Sequence, residues 1–131
     1  MKIALAVLLA IHGTIHLIGF AKAFDLAEIE QLHGSIGRPF GMLWLVAALA
    51  CFATVLLLFT SPERWWVAGG IAIILSQAVI FTAWSDAKFG TLANLAVLVP
   101  LTLSLSWICA PRVFDRSTAR RRSVSSPATG P

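Results

Sequence analysis

The stretch that decides the fold is residues 40–60, FGMLWLVAALACFATVLLLFT, which contains no charged side chain. An α-helix rises 1.5 Å per residue, so about 20 apolar residues cross the hydrocarbon core of a bilayer. Three more stretches of similar length carry no formal charge, namely residues 3–21, 65–84 and 89–110. Because lipid offers no partner for unpaired backbone groups, each stretch is predicted to be a membrane-spanning helix.

The composition supports a membrane protein. Of 131 residues, 58% are hydrophobic and 12% are charged, whereas about a quarter of a soluble domain is charged. This excludes a water-soluble globule, a disordered chain and a nucleic-acid-binding module. Because the linkers between the spans are short, we expect an all-α membrane protein. Residues 1–110 would form an antiparallel four-helix transmembrane bundle.

Lysine and arginine are distributed unequally between the two ends of the predicted spans. Cytoplasmic loops carry an excess of these residues, so both termini are predicted to be cytoplasmic. The chain would be a multi-pass protein of the cell inner (cytoplasmic) membrane, with the lipid bilayer as its first partner. Three of the cations face outward, Lys22, Arg38 and Lys88, and seven face inward, Lys2, Arg64, Arg112, Arg116, Arg120, Arg121 and Arg122.

The ends of the chain differ from the spans. Residues 111–131 are rich in Arg, Ser, Thr and Pro, which predicts a disordered basic cytoplasmic tail. Its arginines would contact anionic lipid headgroups, and no nucleic-acid partner is expected. At the other end, Ala21-Lys22-Ala23 resembles a signal-peptide cleavage site. The preceding apolar run is longer than a signal peptide requires and contains two histidines, so we expect it to be retained.

The first outer loop has a pattern of its own. Asp25 and Glu28 match a capping box, in which each side chain accepts hydrogen bonds from backbone amides at a helix start. Leu26, Ile29 and Leu32 then recur every three residues. This predicts a short amphipathic surface helix in the loop.

The strongest chemical signal is the pair His12 and His16 on the first span. Residues four apart project from the same face of a helix, and ionisable groups at membrane depth usually mark a polar cavity or functional site. Two such imidazoles can bind a transition metal if other segments supply further ligands. The alternative is that both rings hydrogen-bond neighbouring helices and fix packing.

Further polar residues are expected near these histidines in the outer half of the bundle. Each has a second interpretation: the charged turn between the third and fourth spans caps a helix, Asn94 joins helices, and the loop histidine is solvent-exposed. The complete candidate cluster is His12, His16, Asp86, Lys88, Asn94 and His33. No nucleotide-binding or hydrolase motif is present.

Two segments resemble a family of small bacterial four-span membrane proteins to which no activity is assigned. The first is HGTIHLIGF at residues 12–20, followed by Lys22-Ala23, and the second is WSDAKFGT at residues 84–91, followed by Asn94. The resemblance covers residues 3–108 and omits the tail. A looser likeness to DoxX-like proteins extends to size and topology. The resemblance implies a four-helix membrane protein and names no reaction.

Two functions remain open on the sequence. The first is a non-enzymatic accessory or scaffold protein, with a membrane protein partner or a second copy of the chain as its partner. The second is a metal- or quinone-dependent membrane oxidoreductase, or a metal-handling protein, that uses His12 and His16. A transporter of soluble ligands is a third and weaker reading, since four short helices enclose a narrow channel.

Overall fold

The computed structural model describes residues 2–30 and 34–106. Helices account for 82% of these residues, and none of them lies in a strand. The helices are α1 (Lys2–Ala23), α2 (Arg38–Thr60), α3 (Trp65–Thr82), the single turn α4 (Trp84–Ala87) and α5 (Gly90–Ser106). The connections from α2 to α3 and from α3 to α5 are short, as the sequence predicts, whereas residues 24–37 separate α1 from α2.

The predicted spans appear as helices at the expected places. Helices α1, α2 and α3 are long and apolar enough to cross a membrane, and α5 is a shorter apolar helix. Pro39 lies in the first turn of α2, where its missing N–H leaves no helical hydrogen bond unmade. These features fit a multi-span membrane protein.

Helices α1 and α2 pack through small residues. A β-carbon placed on Gly13 would lie 3.1 Å from Cys51 Cβ, and one placed on Gly19 would overlap the Trp44 indole. At the C-terminal end of α1, a β-carbon on Gly41 would overlap Ala23. The absence of side chains at these glycines therefore allows the two helices to approach closely.

Helices α3 and α5 also lie side by side. Gln77 Nε2 donates to Thr91 Oγ1 at 3.3 Å, and Asn94 Nδ2 donates to Gln77 Oε1 at 3.1 Å. Where α5 begins, a β-carbon on Gly90 would lie 2.9 Å from Ile80 Cδ1. This alignment positions the polar residues of α5 beside α3.

The described part of the first loop does not form the predicted surface helix. Residues 24–30 adopt turns and bends, and Asp25 has a positive φ of 56°. The Asp25 N–H donates to Lys22 O at 3.2 Å and the Leu26 N–H to Ala21 O at 2.9 Å, which is the Schellman pattern that ends a helix. The capping-box prediction was wrong because Asp25 terminates α1 and does not begin another helix.

By its internal contacts the chain divides into two units, Met1–Leu101 and Thr102–Pro131. The described residues of the second unit are the C-terminal end of α5, where Ser106 Oγ donates to Leu103 O at 2.7 Å. The predicted basic tail and the last residues of the predicted fourth span, 107–110, lie outside the described residues.

Candidate functional site

Two imidazoles of α1 share one hydroxyl of α3. His12 Nε2 lies 2.8 Å from Ser76 Oγ, and His16 Nε2 lies 3.0 Å from the same oxygen. The side chains are almost fully buried, with His12 4% exposed, His16 2% and Ser76 0%. The i, i+4 spacing thus turns both rings toward α3, and the prediction that they hydrogen-bond a neighbouring helix is confirmed.

The shared hydroxyl restricts the protonation of the two rings. A serine hydroxyl has one proton to donate and two lone pairs that accept. At most one Nε2 can therefore accept from Ser76, and at least one ring must donate its own Nε2–H to Oγ. It follows that His12 and His16 cannot both be neutral with the proton on Nδ1.

A second set of hydrogen bonds connects this site to α5. The Asn94 side chain, which is 5% exposed, donates to Gln77 Oε1, and a β-carbon on Gly90 at the start of α5 would lie 3.5 Å from His12 Cε1. Gln77 follows Ser76 directly in α3, so one turn of that helix serves both α1 and α5. The sequence-based interpretation of Asn94 as a residue that joins helices is confirmed.

Trp44 of α2 completes the surroundings of His16. The two rings meet edge to face with centroids 5.4 Å apart, and the His12 ring lies 4.7 Å from that of His16. His16 Nδ1 and Trp44 Nε1 are buried and have no hydrogen-bond partner among the described residues. An unpaired buried polar group costs roughly 1–3 kcal/mol, so these two atoms are the least satisfied part of the site.

The donor set does not fit a metal centre. A catalytic zinc site needs three protein ligands, yet no group of three or more His, Cys, Asp or Glu side chains comes together in the described part of the chain. Both Nε2 atoms are also directed at the Ser76 hydroxyl. The prediction that His12 and His16 ligate a transition metal is therefore not supported.

Two of the remaining candidate residues, Asp86 and Lys88, lie in the segment between α3 and α5. Half-buried Asp86 accepts a hydrogen bond from the Gly34 amide at 3.3 Å, so it connects this turn to the first loop. Lys88 is exposed, and its ammonium lies 5.6 Å from the centroid of the Phe89 ring. His33 lies outside the described residues. The cluster that the structure brings together thus contains His12, His16 and Asn94 of the six candidates.

Sequence reasoning missed Ser76 and Trp44. A serine in an apolar helix is common and gives no signal by itself, although its position beside Gln77 makes one polar turn on α3. Trp44 resembled any other large apolar residue of the second span. Both residues face the histidines because of the way α2 and α3 are rotated about their axes. That rotation cannot be read from the sequence.

No protein-family model matches this chain, and no curated protein or solved structure is significantly similar to it. The resemblance to small bacterial four-span proteins therefore stays a prediction.

Proposed function

We propose that this chain is a small multi-pass inner-membrane protein that acts as a non-enzymatic accessory or scaffold. Its polar residues hold α1, α3 and α5 in one fixed arrangement, so that the outer surface of the helices is a stable platform for lipid and a membrane partner. Polar side chains inside a membrane bundle commonly serve as such interhelical links.

One observation carries this proposal, namely that a single Ser76 hydroxyl holds both His12 and His16. Imidazole groups can transfer protons or bind metals, but here both Nε2 atoms are used to join α1 to α3. The link from Gln77 to Asn94 extends the same function to α5. This is the pattern expected of a packing network.

The helix contacts support the antiparallel, four-span arrangement that the sequence predicts. Along α1 and α2, the contacts of Gly13 with Cys51 and of Gly19 with Trp44 run in opposite order. Along α3 and α5, the pairs Gln77–Thr91 and Ile80–Gly90 do the same. Large apolar side chains point outward from these helices, including Ile74, which is 71% exposed, and Phe81, which is 66% exposed. Such faces suit lipid, a partner or a second copy of the chain.

Reporter fusions test the topology on which the proposal depends. Alkaline phosphatase, which is active only outside the cytoplasm, should be active when fused after Gly34 and inactive when fused after Glu63 or Ala110. Those positions lie in the first loop, in the second loop and after the predicted fourth span. Activity after Ala110 would mean that the orientation or the number of spans is wrong.

The quinone-dependent alternative is favoured by one observation: Trp44 Nε1–H and His16 Nδ1, on two rings in contact, have no hydrogen-bond partner among the described residues. An indole N–H can donate to a carbonyl oxygen of a quinone. Metal analysis, an absorption spectrum and extraction of bound quinone from protein purified in mild detergent separate the two functions. A stoichiometric quinone or metal would overturn the scaffold proposal, whereas a scaffold should contain neither.

A further inference from the structure

A cavity with charged side chains in its walls lies where the end of α1 meets the first loop and the start of α2. Its volume is about 590 Å³, within the range of roughly 300–1,000 Å³ that small-molecule sites occupy. Lys22 belongs to the last turn of α1 and Arg38 is the first residue of α2. The cavity is therefore at the ends of two apolar helices, which is the depth of lipid headgroups in a bilayer.

Charges of both signs line this cavity. Lys22 and Arg38 are the cations, and Asp25, Glu28 and Glu30 are the carboxylates. In the described part of the chain, none of these five side chains forms an ion pair with another of them. The walls thus offer two positive and three negative groups that do not neutralise one another by direct contact.

Lys22 lies at the wall of the cavity. Its side chain is half-buried, and its ammonium makes one long contact, 3.5 Å, with Ile29 O across the loop. A lysine ammonium has three N–H donors, so donors remain for an anion. A phosphate is the natural ligand for this lysine together with Arg38, because arginine presents several donors in a fixed plane.

We propose that this cavity binds the headgroup of a phospholipid that carries a primary ammonium, that is, a phosphoethanolamine headgroup. Lys22 and Arg38 would recognise its phosphate, and the carboxylates of the loop would accept hydrogen bonds from its ammonium. The inference rests on the membrane placement put forward under the proposed function. It adds a lipid class to the general contact with the bilayer.

The lining also predicts which lipids are disfavoured. A choline headgroup has no N–H with which to satisfy a carboxylate. An anionic glycerol headgroup would leave Glu28 and Glu30 without a cation. The binding order is therefore phosphatidylethanolamine first, with phosphatidylcholine and phosphatidylglycerol both weaker.

Native mass spectrometry of the full-length protein in detergent micelles, titrated with each of the three lipids on identical acyl chains, tests this order. We expect phosphatidylethanolamine to bind about tenfold tighter than either competitor, since the favoured lipid gains a charge-assisted hydrogen bond. Replacing Glu28 and Glu30 with Gln should sharply reduce its preference over phosphatidylcholine, because Asp25 is then the one carboxylate left among the described lining residues. Arg38→Gln should weaken all phosphate-containing lipids alike.

Lys88→Gln is the matched control, because Lys88 is an exposed cation on the same predicted side of the membrane that does not line the cavity. It should leave all three affinities unchanged. Equal affinity for the three lipids would overturn the proposal, as would an unaltered preference in the Glu28→Gln/Glu30→Gln variant. Free phosphoethanolamine that bound as tightly as the lipid would overturn the assignment to a lipid.

Failure here is distinguishable from failure of the proposed function. Reporter fusions report the topology whether or not any lipid binds selectively. If the fusions give the expected pattern and the three lipids bind equally, the proposed topology is confirmed and the proposed headgroup site is wrong.

Discussion

Helix α1 meets α2 and α3 through contacts of opposite character. Against α2 it presents Gly13 and Gly19, and the contact depends on shape, because Trp44 lies where a side chain at Gly19 would be. Against α3 it presents His12 and His16, and the contact depends on the Ser76 hydroxyl. One helix therefore uses close packing on one side and hydrogen bonding on the other.

The difference shows how a helix can be fixed where burial gives little driving force. Lipid tails are as apolar as leucine, so helices in a membrane associate through close packing and interhelical hydrogen bonds. The packed interface fixes the distance between α1 and α2. The hydrogen bonds fix the rotation of α1, because a small rotation would carry both imidazoles away from Ser76.

The largest effect is expected from breaking the packed interface. Gly19→Ala places a methyl group inside the Trp44 indole, and overpacking of this kind costs about 1–3 kcal/mol. We expect the upper part of that range, because an indole wedged between helices has little room to move. Equilibrium unfolding in mixed micelles measures the loss.

Gly70→Ala is the control for this change, since a β-carbon at Gly70 would have no neighbour within 4 Å. The same substitution should there be neutral or stabilising by up to about 1 kcal/mol, because alanine has the higher helix propensity. Equal losses in the two variants would show that the close approach at Gly19 is not what holds α1 against α2.

A smaller effect is expected from breaking the hydrogen-bonded interface. Ser76→Ala removes the partner of both His12 and His16 and should lower the free energy of unfolding by about 1–2 kcal/mol. A double-mutant cycle with His16→Phe isolates the pair, because a phenyl ring keeps a flat aromatic side chain and removes the hydrogen bond, and the cost of its larger volume cancels in the cycle. Strictly additive losses would mean that His16 and Ser76 are not energetically coupled.

The smallest effect should come from the link to α5. Asn94→Ala removes a donor to Gln77, and interhelical hydrogen bonds of this kind are worth about 0.6 kcal/mol on average. The same unfolding measurement should show a loss below that of Ser76→Ala. A greater loss would mean that the hydrogen bond between α3 and α5 contributes more to stability than the bonds from Ser76 to α1.

The fold was more predictable than the site. Four uncharged stretches marked four helices, since hydrophobicity is a local property that a window of sequence measures directly. The first loop was misassigned, because Asp25 suits both the start of a helix and the left-handed residue that ends one. The hydrogen bonds from Leu26 and Asp25 back to α1 decide between them, and the sequence does not contain that information.

The sequence alone determined that the chain is helical and apolar and where its long helices lie, because these properties follow from composition. It also determined that His12 and His16 share a face, because that follows from the 3.6-residue period of the helix. Only the tertiary structure decided that the face meets Ser76, that Trp44 lies against His16, and that Asp86 contacts Gly34. These contacts join residues far apart in the chain, and they depend on the rotation and offset of whole helices. Many residues set those two quantities together, so no single motif can specify them.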